Sequence, residues 1–401
     1  MPPSAEPLPL RDAGWRAGTR RGAEGFFQVA QEMGGRWRLL DPAGENFFLR
    51  AVHGVRAAPA GGDGELPADP AARLRAWGFN AVGLGADGAG RDDGLPFLAA
   101  VDFSPAGSVI TGPGVRLPDV FDPEWPRRAL ARAAEVCTPL ADEQALIGWV
   151  GDAALEWPQP VAGGRPGLLQ RCLSLEPSFA AYHAAWEFAL ALHGGRLEAM
   201  AQAWGAALVN KEVVRTLTRT EQAIASRGYL RDDARWTREF ARRYFTAMGA
   251  AVRAADPRHL VLGARTLGRA GAQVVAEAVF PAVDVALVDW RELSVASSHP
   301  AQPVIAGDVG WAGAEFQRPL AGGRVGRLTT LERMLRRARA GLARLERNPA
   351  VVGYAWARWE DGPGEQPPFA GGLLHANGTE AREHTELIAQ FNARMAGRRT
   401  A

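Results

Sequence analysis

Three carboxylates stand where they could do chemistry. Asp152 and Glu156 belong to Ile147–Trp157, an apolar run that turns polar at its end, and Asp308 follows the apolar run Val304–Ala306 after one glycine. Two carboxylates flanking one bond are what hydrolysis of a glycosidic linkage needs. One protonates the leaving oxygen while the other attacks or activates water, at a separation of about 5 Å in retaining enzymes and about 6.5–9.5 Å in inverting ones. Between Asp152 and Glu156, however, stand Ala153 and Ala154, which cannot move a proton. Trp157, Trp290, Trp311, Trp356 and Trp359 also lie at or near the ends of apolar runs. Indole faces stack on the C–H faces of sugar rings, and polar neighbours such as His53 and Arg265 would take the hydroxyls. The competing roles are structural: an indole can plug the end of a barrel, and an acid can pair with an arginine, for which Arg265 is the obvious partner.

Other chemistries find little support. The seven histidines show neither His-x-x-His nor His-Glu-x-x-His spacing, so no metal is expected. Cys137 and Cys172 are too few for a disulfide framework or a four-thiolate site. No Gly-x-Ser-x-Gly elbow occurs. Gly83-Leu84-Gly85-Ala86-Asp87-Gly88 matches a dinucleotide fingerprint, but that loop works only when a helix N-terminus follows to hold the pyrophosphate. Here Leu95-Pro96 and another apolar run come too soon for one. No cofactor is therefore expected.

The 401 residues carry a net charge of +2, with arginines scattered among acids, which argues against a nucleic-acid partner. No uncharged apolar run reaches membrane-spanning length, so no membrane partner is expected. The first thirty residues hold no apolar leader segment. The cytoplasm is the expected compartment, or a secreted or periplasmic one if a leader has been removed.

The elements that must position these residues follow from the spacing of apolar runs. Residues 1–25, rich in Pro, Arg and Gly, read as a poorly ordered arm. Phe26–Ala30 and Trp37–Leu40 read as a hairpin turning at Gly34-Gly35. Eight short runs then alternate with helical stretches: Phe48–Val52, Ala81–Leu84, Phe97–Val101, Leu146–Val150, Leu260–Gly263, Val283–Val288, Val304–Ala306 and Val351–Trp356. The clearest helices are Pro70–Trp77, Glu124–Cys137, Leu328–Arg347 and Glu380–Met395. Eight strands alternating with helices predict an α/β fold, a closed (β/α)8 barrel spanning 26–397, with a helical rim insertion at about 158–250. Active sites of such barrels lie at the C-terminal ends of the strands, where His53, Asp152, Glu156, Arg265, Asp308 and the tryptophans fall.

In this order the motifs resemble the agarase-like and β-galactosidase-like (β/α)8 glycoside hydrolases, which carry an acid after strand four and a nucleophile after strand seven. The resemblance covers about residues 26–395. It rests on Gly35-Arg36-Trp37-Arg38-Leu39-Leu40-Asp41-Pro42-Ala43-Gly44, Gly78-Phe79-Asn80-Ala81-Val82-Gly83, Pro118-Asp119-Val120-Phe121-Asp122-Pro123, Asp256-Pro257-Arg258-His259-Leu260 and the stretch Gly353–Trp359. That family typically reads Gly-Tyr-Phe-x-Asp-Asn-Glu at strand four. Aligning Gly148 and Asp152 places Ala153 at the sugar-binding Asn and Ala154 at the acid/base Glu. The resemblance likewise puts Asp308 at the nucleophile Glu, one methylene shorter, and Trp290 at the tyrosine that supports it. What it implies is a barrel that binds an oligo- or polysaccharide with retaining hydrolysis lost or impaired. The alternatives are an active glycosidase using Asp308 with Glu156 or Asp152, and a non-catalytic interaction scaffold marked by a mouth filled with packed aromatics.

Overall fold

The computed structural model describes residues 14–57, 69–87, 93–153, 155–158, 164–267, 272–293, 302–311, 317–319, 325–327, 331–362 and 371–397. Eight parallel strands form one curled sheet. In chain order they are Leu49–Val52, Ala81–Val82, Phe97–Val101, Leu146–Gly151, Leu260–Val261, Ala286–Asp289, Val304–Val309 and Val351–Trp356. Their order around the sheet is five, four, three, two, one, eight, seven, six, every neighbour parallel. Strands five and six meet across the seam. The Asp284 and Leu287 N–H groups donate to the Val261 and Leu262 carbonyls at 2.8 and 2.9 Å, and the Val261 N–H donates to Asp284 Oδ2 at 2.8 Å. The sheet thus closes into the expected (β/α)8 barrel, which removes its edges.

Continuous burial explains why the strands read as short unbroken apolar runs rather than alternating ones. Leu146–Gly151 and Val351–Trp356 are buried at every position, as strands covered on both faces must be. The helices are amphipathic for the complementary reason. Arg227–Ala255 buries Tyr229, Trp236, Phe240, Tyr244, Met248 and Val252 at helical spacing and packs on Trp125–Cys137. Among the described residues it is the last of five helices between strands four and five, after Leu168–Leu173, Ala180–Leu192, Leu197–Trp204 and Lys211–Arg219. Among the described residues no helix is long and apolar enough to cross a membrane.

Two features depart from the sequence-based reading. Residues 14–25, assigned to a poorly ordered arm, are tied down. Arg21 pairs with Val29 through backbone bonds in both directions, and its guanidinium donates to the Asp284 carbonyl and to Gln302 Oε1 at 2.6 and 2.8 Å. The Ala23 and Trp37 N–H groups donate to Arg258 and Pro349, just ahead of strands five and eight. This segment and the hairpin Gln28–Gln31/Trp37–Leu40 therefore cover the N-terminal end of the barrel, opposite the mouth. The cause is the arginine: its long donor fork finds carbonyls that a count of Pro and Gly does not reveal. The second feature is a four-stranded side sheet, ordered Thr266–Leu267, Leu155–Glu156, Val115–Pro118 and Val109–Gly112, which adds to the rim and carries Glu156.

Candidate active site at the barrel mouth

Strands four and seven each have a residue of unusual backbone at or next to their C-terminal end. Asp152 and Asp308 have φ of +46° and +50°, two of three non-glycine residues with positive φ among the described residues. L-residues avoid this left-handed region, which Asp tolerates better than most, and such strain clusters at functional strand ends. It also breaks the alternation of side chains along a strand, so periodicity no longer says which way these carboxylates face.

Asp152 turns into the layer between the sheet and its helices. Its side chain is fully buried. One oxygen accepts the Phe103 N–H at 2.9 Å, and the other accepts the Tyr244 hydroxyl, on the long helix Arg227–Ala255, at 2.6 Å. Burial, and then the hydrogen bond with Asp102, push it up to about 7, against the pull of the Tyr244 and Phe103 donors. Burial opposes ionisation of Asp102 too, yet the hydrogen bond from Asp152, the Ser104 N–H and the charge of Arg116 hold it below the ordinary carboxylate value. Asp152 is thus bonded to Tyr244 behind the sheet, while the exposed Asp102 nearby raises its pKa. No motif announced this arrangement, because Tyr244 and Phe103 reach Asp152 across 92 and 49 residues of chain.

Asp308 stays at the mouth but is engaged. Arg265, from the end of strand five, donates its Nε at 3.0 and 3.3 Å to the two carboxylate oxygens and its Nη2 at 2.6 Å to Oδ1. A further Nη2 contact reaches the Ala357 carbonyl at 3.4 Å. Both side chains are about one-fifth exposed or less, so this forked, charge-assisted pair is partly desolvated. The backbone holds the fork in place, since the Arg265 N–H donates to the Asp152 carbonyl and the Leu155 N–H to that of Arg265.

His53 completes the polar group. Its Nδ1 accepts the Leu84 N–H at 2.9 Å, which puts the proton on Nε2. Burial, and then the nearby Arg265 charge, hold its pKa well below the ordinary histidine value, so the ring is neutral. Nε2–H has no hydrogen-bond partner among the described residues. Gly83 makes room for the ring: a Cβ there would lie 2.5 Å from His53 Nδ1. The glycine-rich loop therefore houses an imidazole, a use that the fingerprint spacing did not disclose. Glu156 stands apart in the side sheet, half-buried, opposite Arg116 in register. Ala153 is half-buried against the core, and Ala154 lies outside the described residues.

The tryptophans are taken up by packing. Trp157 is 3% exposed and sits between Phe240 and Phe245, edge-on to the first and stacked on the second. Trp311 and Trp356 are fully buried edge to face at 4.6 Å, with Trp311 Nε1 donating to His384 Nδ1 and Trp356 Nε1 to the Gly371 carbonyl. Trp359 is buried beside Trp77. Trp290 turns outward: a Cβ on Gly341, in the helix Leu331–Arg347, would lie 2.5 Å from its ring. The expectation that these indoles offer open faces to a sugar meets rings already occupied by neighbours. The physical reason is area, since a large apolar ring at a strand end gains more from complete burial than from half-exposure.

No family profile matches the sequence, and no curated protein matches it. Solved structures do match the fold. An exo-β-agarase superimposes with a TM-score of 0.65 at 18% identity, over 98% of this chain and 68% of the agarase. The agarase AgWH50C gives 0.64 at 17% identity, over 97% of this chain and 67% of its own. The chain has the agarase-like glycoside hydrolase fold. A β-galactosidase from Bacillus circulans sp. alkalophilus matches more loosely, at 0.52 and 10% identity over 87% of this chain and 56% of the enzyme. In the agarase-like barrel, chemistry belongs to the side chains at the strand ends rather than to the fold. Those side chains are the basis for a functional reading.

Proposed function

We propose that this agarase-like barrel binds a carbohydrate at its mouth without cleaving it by the retaining route. The observation that carries the reading is the Arg265–Asp308 fork, which occupies the carboxylate at the nucleophile position. Ala154 at the aligned acid/base position supports it from sequence. A general acid is worth about 10²–10⁴ in rate, and a carboxylate displaced by about 1 Å costs about a hundredfold more. Asp152, buried behind the sheet, and Glu156, placed in the side sheet, speak against a displaced acid restoring hydrolysis. Binding would rest on the partly exposed Arg265–Asp308 pair as donor and acceptor to sugar hydroxyls, with the buried, neutral His53 ring beside it.

Calorimetric titration with agaro- and galacto-oligosaccharides tests the reading. Binding is expected, weakened about tenfold or more by His53→Phe and by Arg265→Met, since each removes a buried polar contact. Indifference of affinity to both substitutions would remove the mouth as the site. The buried, mutually packed indoles favour a second reading, an interaction scaffold with a vestigial pocket. Failure of every oligosaccharide to bind would select it.

A further inference from the structure

The helix Leu331–Arg347 follows strand seven and carries six arginines against two glutamates. Its excess of four positive charges exceeds the +2 of the entire chain. The arginines are not spread around it. At 100° per residue, Arg333, Arg336, Arg337, Arg344 and Arg347 fall within about 100° of arc and run for about 21 Å along the axis. All five are exposed, while Met334, Ala338, Gly341, Leu342 and Leu345 face the barrel. Arg336, Arg337, Arg344 and Arg347 have no ion pair among the described residues, and Glu332 and Glu346 project to one side of the stripe. Like charges at helical spacings of three and four repel one another, which leaves Arg336, Arg337, Arg344 and Arg347 without a neutralising partner among the described residues.

We propose that this stripe is a docking surface for an acidic polysaccharide, one bearing carboxylates or sulfates at regular intervals. A point anion would need two or three of these guanidinium groups, whereas a row of about 21 Å matches an extended polymer. The helix begins at the mouth end of the barrel, because it follows a strand, so a chain held along it leads toward His53, Arg265 and Asp308. The choice of a polysaccharide rests on the carbohydrate reading of that mouth. A membrane is disfavoured because the apolar face of this helix is turned into the barrel and cannot enter a bilayer. Duplex DNA is disfavoured because the helix lies against the barrel along its buried face, which keeps it from entering a major groove.

The test compares the intact chain with a variant carrying Arg336→Gln, Arg337→Gln, Arg344→Gln and Arg347→Gln. All four positions are exposed, so folding should survive and is checked by thermal melting. Affinity electrophoresis through gels containing polygalacturonate, dextran sulfate or neutral dextran measures retention, with duplex DNA and anionic vesicles as competitors. The expected result is retention by the two acidic polymers but not by dextran. It should weaken about tenfold or more in the variant and with added salt, and stay unchanged in Arg127→Gln, which alters an exposed arginine on the helix Trp125–Cys137. Equal retention of the variant would overturn the proposal, as would tighter binding of DNA or vesicles than of polygalacturonate. Because calorimetry with neutral oligosaccharides reports on the mouth and the fourfold glutamine variant on the stripe, failure of one reading is distinguishable from failure of the other.

Discussion

Replacing Asp152 by Asn should make the protein more stable at alkaline pH while leaving it nearly unchanged in acid. In the folded chain burial raises this carboxyl from the usual 3.8 to about 7; the unfolded chain restores the ordinary value. The folded state therefore binds the proton more tightly. Between about pH 4 and pH 7 the unfolded state holds fewer protons, and stability falls as pH rises through that window. At about 1.4 kcal/mol per unit the full loss is about 4 kcal/mol, and the part falling between pH 5 and pH 8 is about 2–3 kcal/mol. Asn mimics the protonated acid. Its amide can donate toward Asp102, its carbonyl can still accept the Phe103 N–H, and the Tyr244 hydroxyl can rotate to accept. Turning that hydroxyl costs about 1 kcal/mol or less. Urea denaturation of both proteins at pH 5, 6.5 and 8 measures the difference directly. The stability of the Asn variant relative to the parent should climb by about 2–3 kcal/mol across that range. A difference that stays flat with pH would refute the assignment of a buried carboxyl with a raised pKa at the end of strand four.

Further outcomes follow from the packing. Trp311→Ala removes a fully buried indole and its bond to His384, and should cost about 3–5 kcal/mol in denaturant titration; a loss below about 1 kcal/mol would mean that the ring is not packed as described. Gly341→Ala sets two effects against each other. Helix propensity favours Ala by about 1 kcal/mol, but the new Cβ would meet the Trp290 ring at 2.5 Å, an overpacking cost of about 1–3 kcal/mol. The clash should win by a small margin and shift the Trp290 emission, whereas a stabilised variant with unchanged fluorescence would place that indole elsewhere.

Much of the barrel was legible because its strands are buried on both faces. Phe97–Val101 and Val351–Trp356 match their apolar runs residue for residue, and the hairpin around Gly34-Gly35 pairs as its turn residues imply. The side sheet was not legible. Its signal, the alternation in Val109–Pro118 around Pro113-Gly114, is that of an isolated hairpin, while its pairing with Leu155–Glu156 depends on contacts distant in sequence. At the site, the identity of Arg265 as the partner of Asp308 was readable from charge and strand position. The orientation of Asp152, Trp157 and Trp311 was not, because a left-handed residue at a strand end redirects the side chains that follow it. The pattern located the rings but could not say which neighbour each would meet.

The most direct test of the account is a paired measurement on one sample: oligosaccharide binding by calorimetry and release of new reducing ends over long incubation, for the parent chain and for Asp308→Asn. The account predicts that an agaro- or galacto-oligosaccharide binds the parent and is recovered intact, with Asp308→Asn altering only affinity. Turnover by the parent that Asp308→Asn abolishes would contradict it, because the carboxylate held by Arg265 would then be a working nucleophile or base.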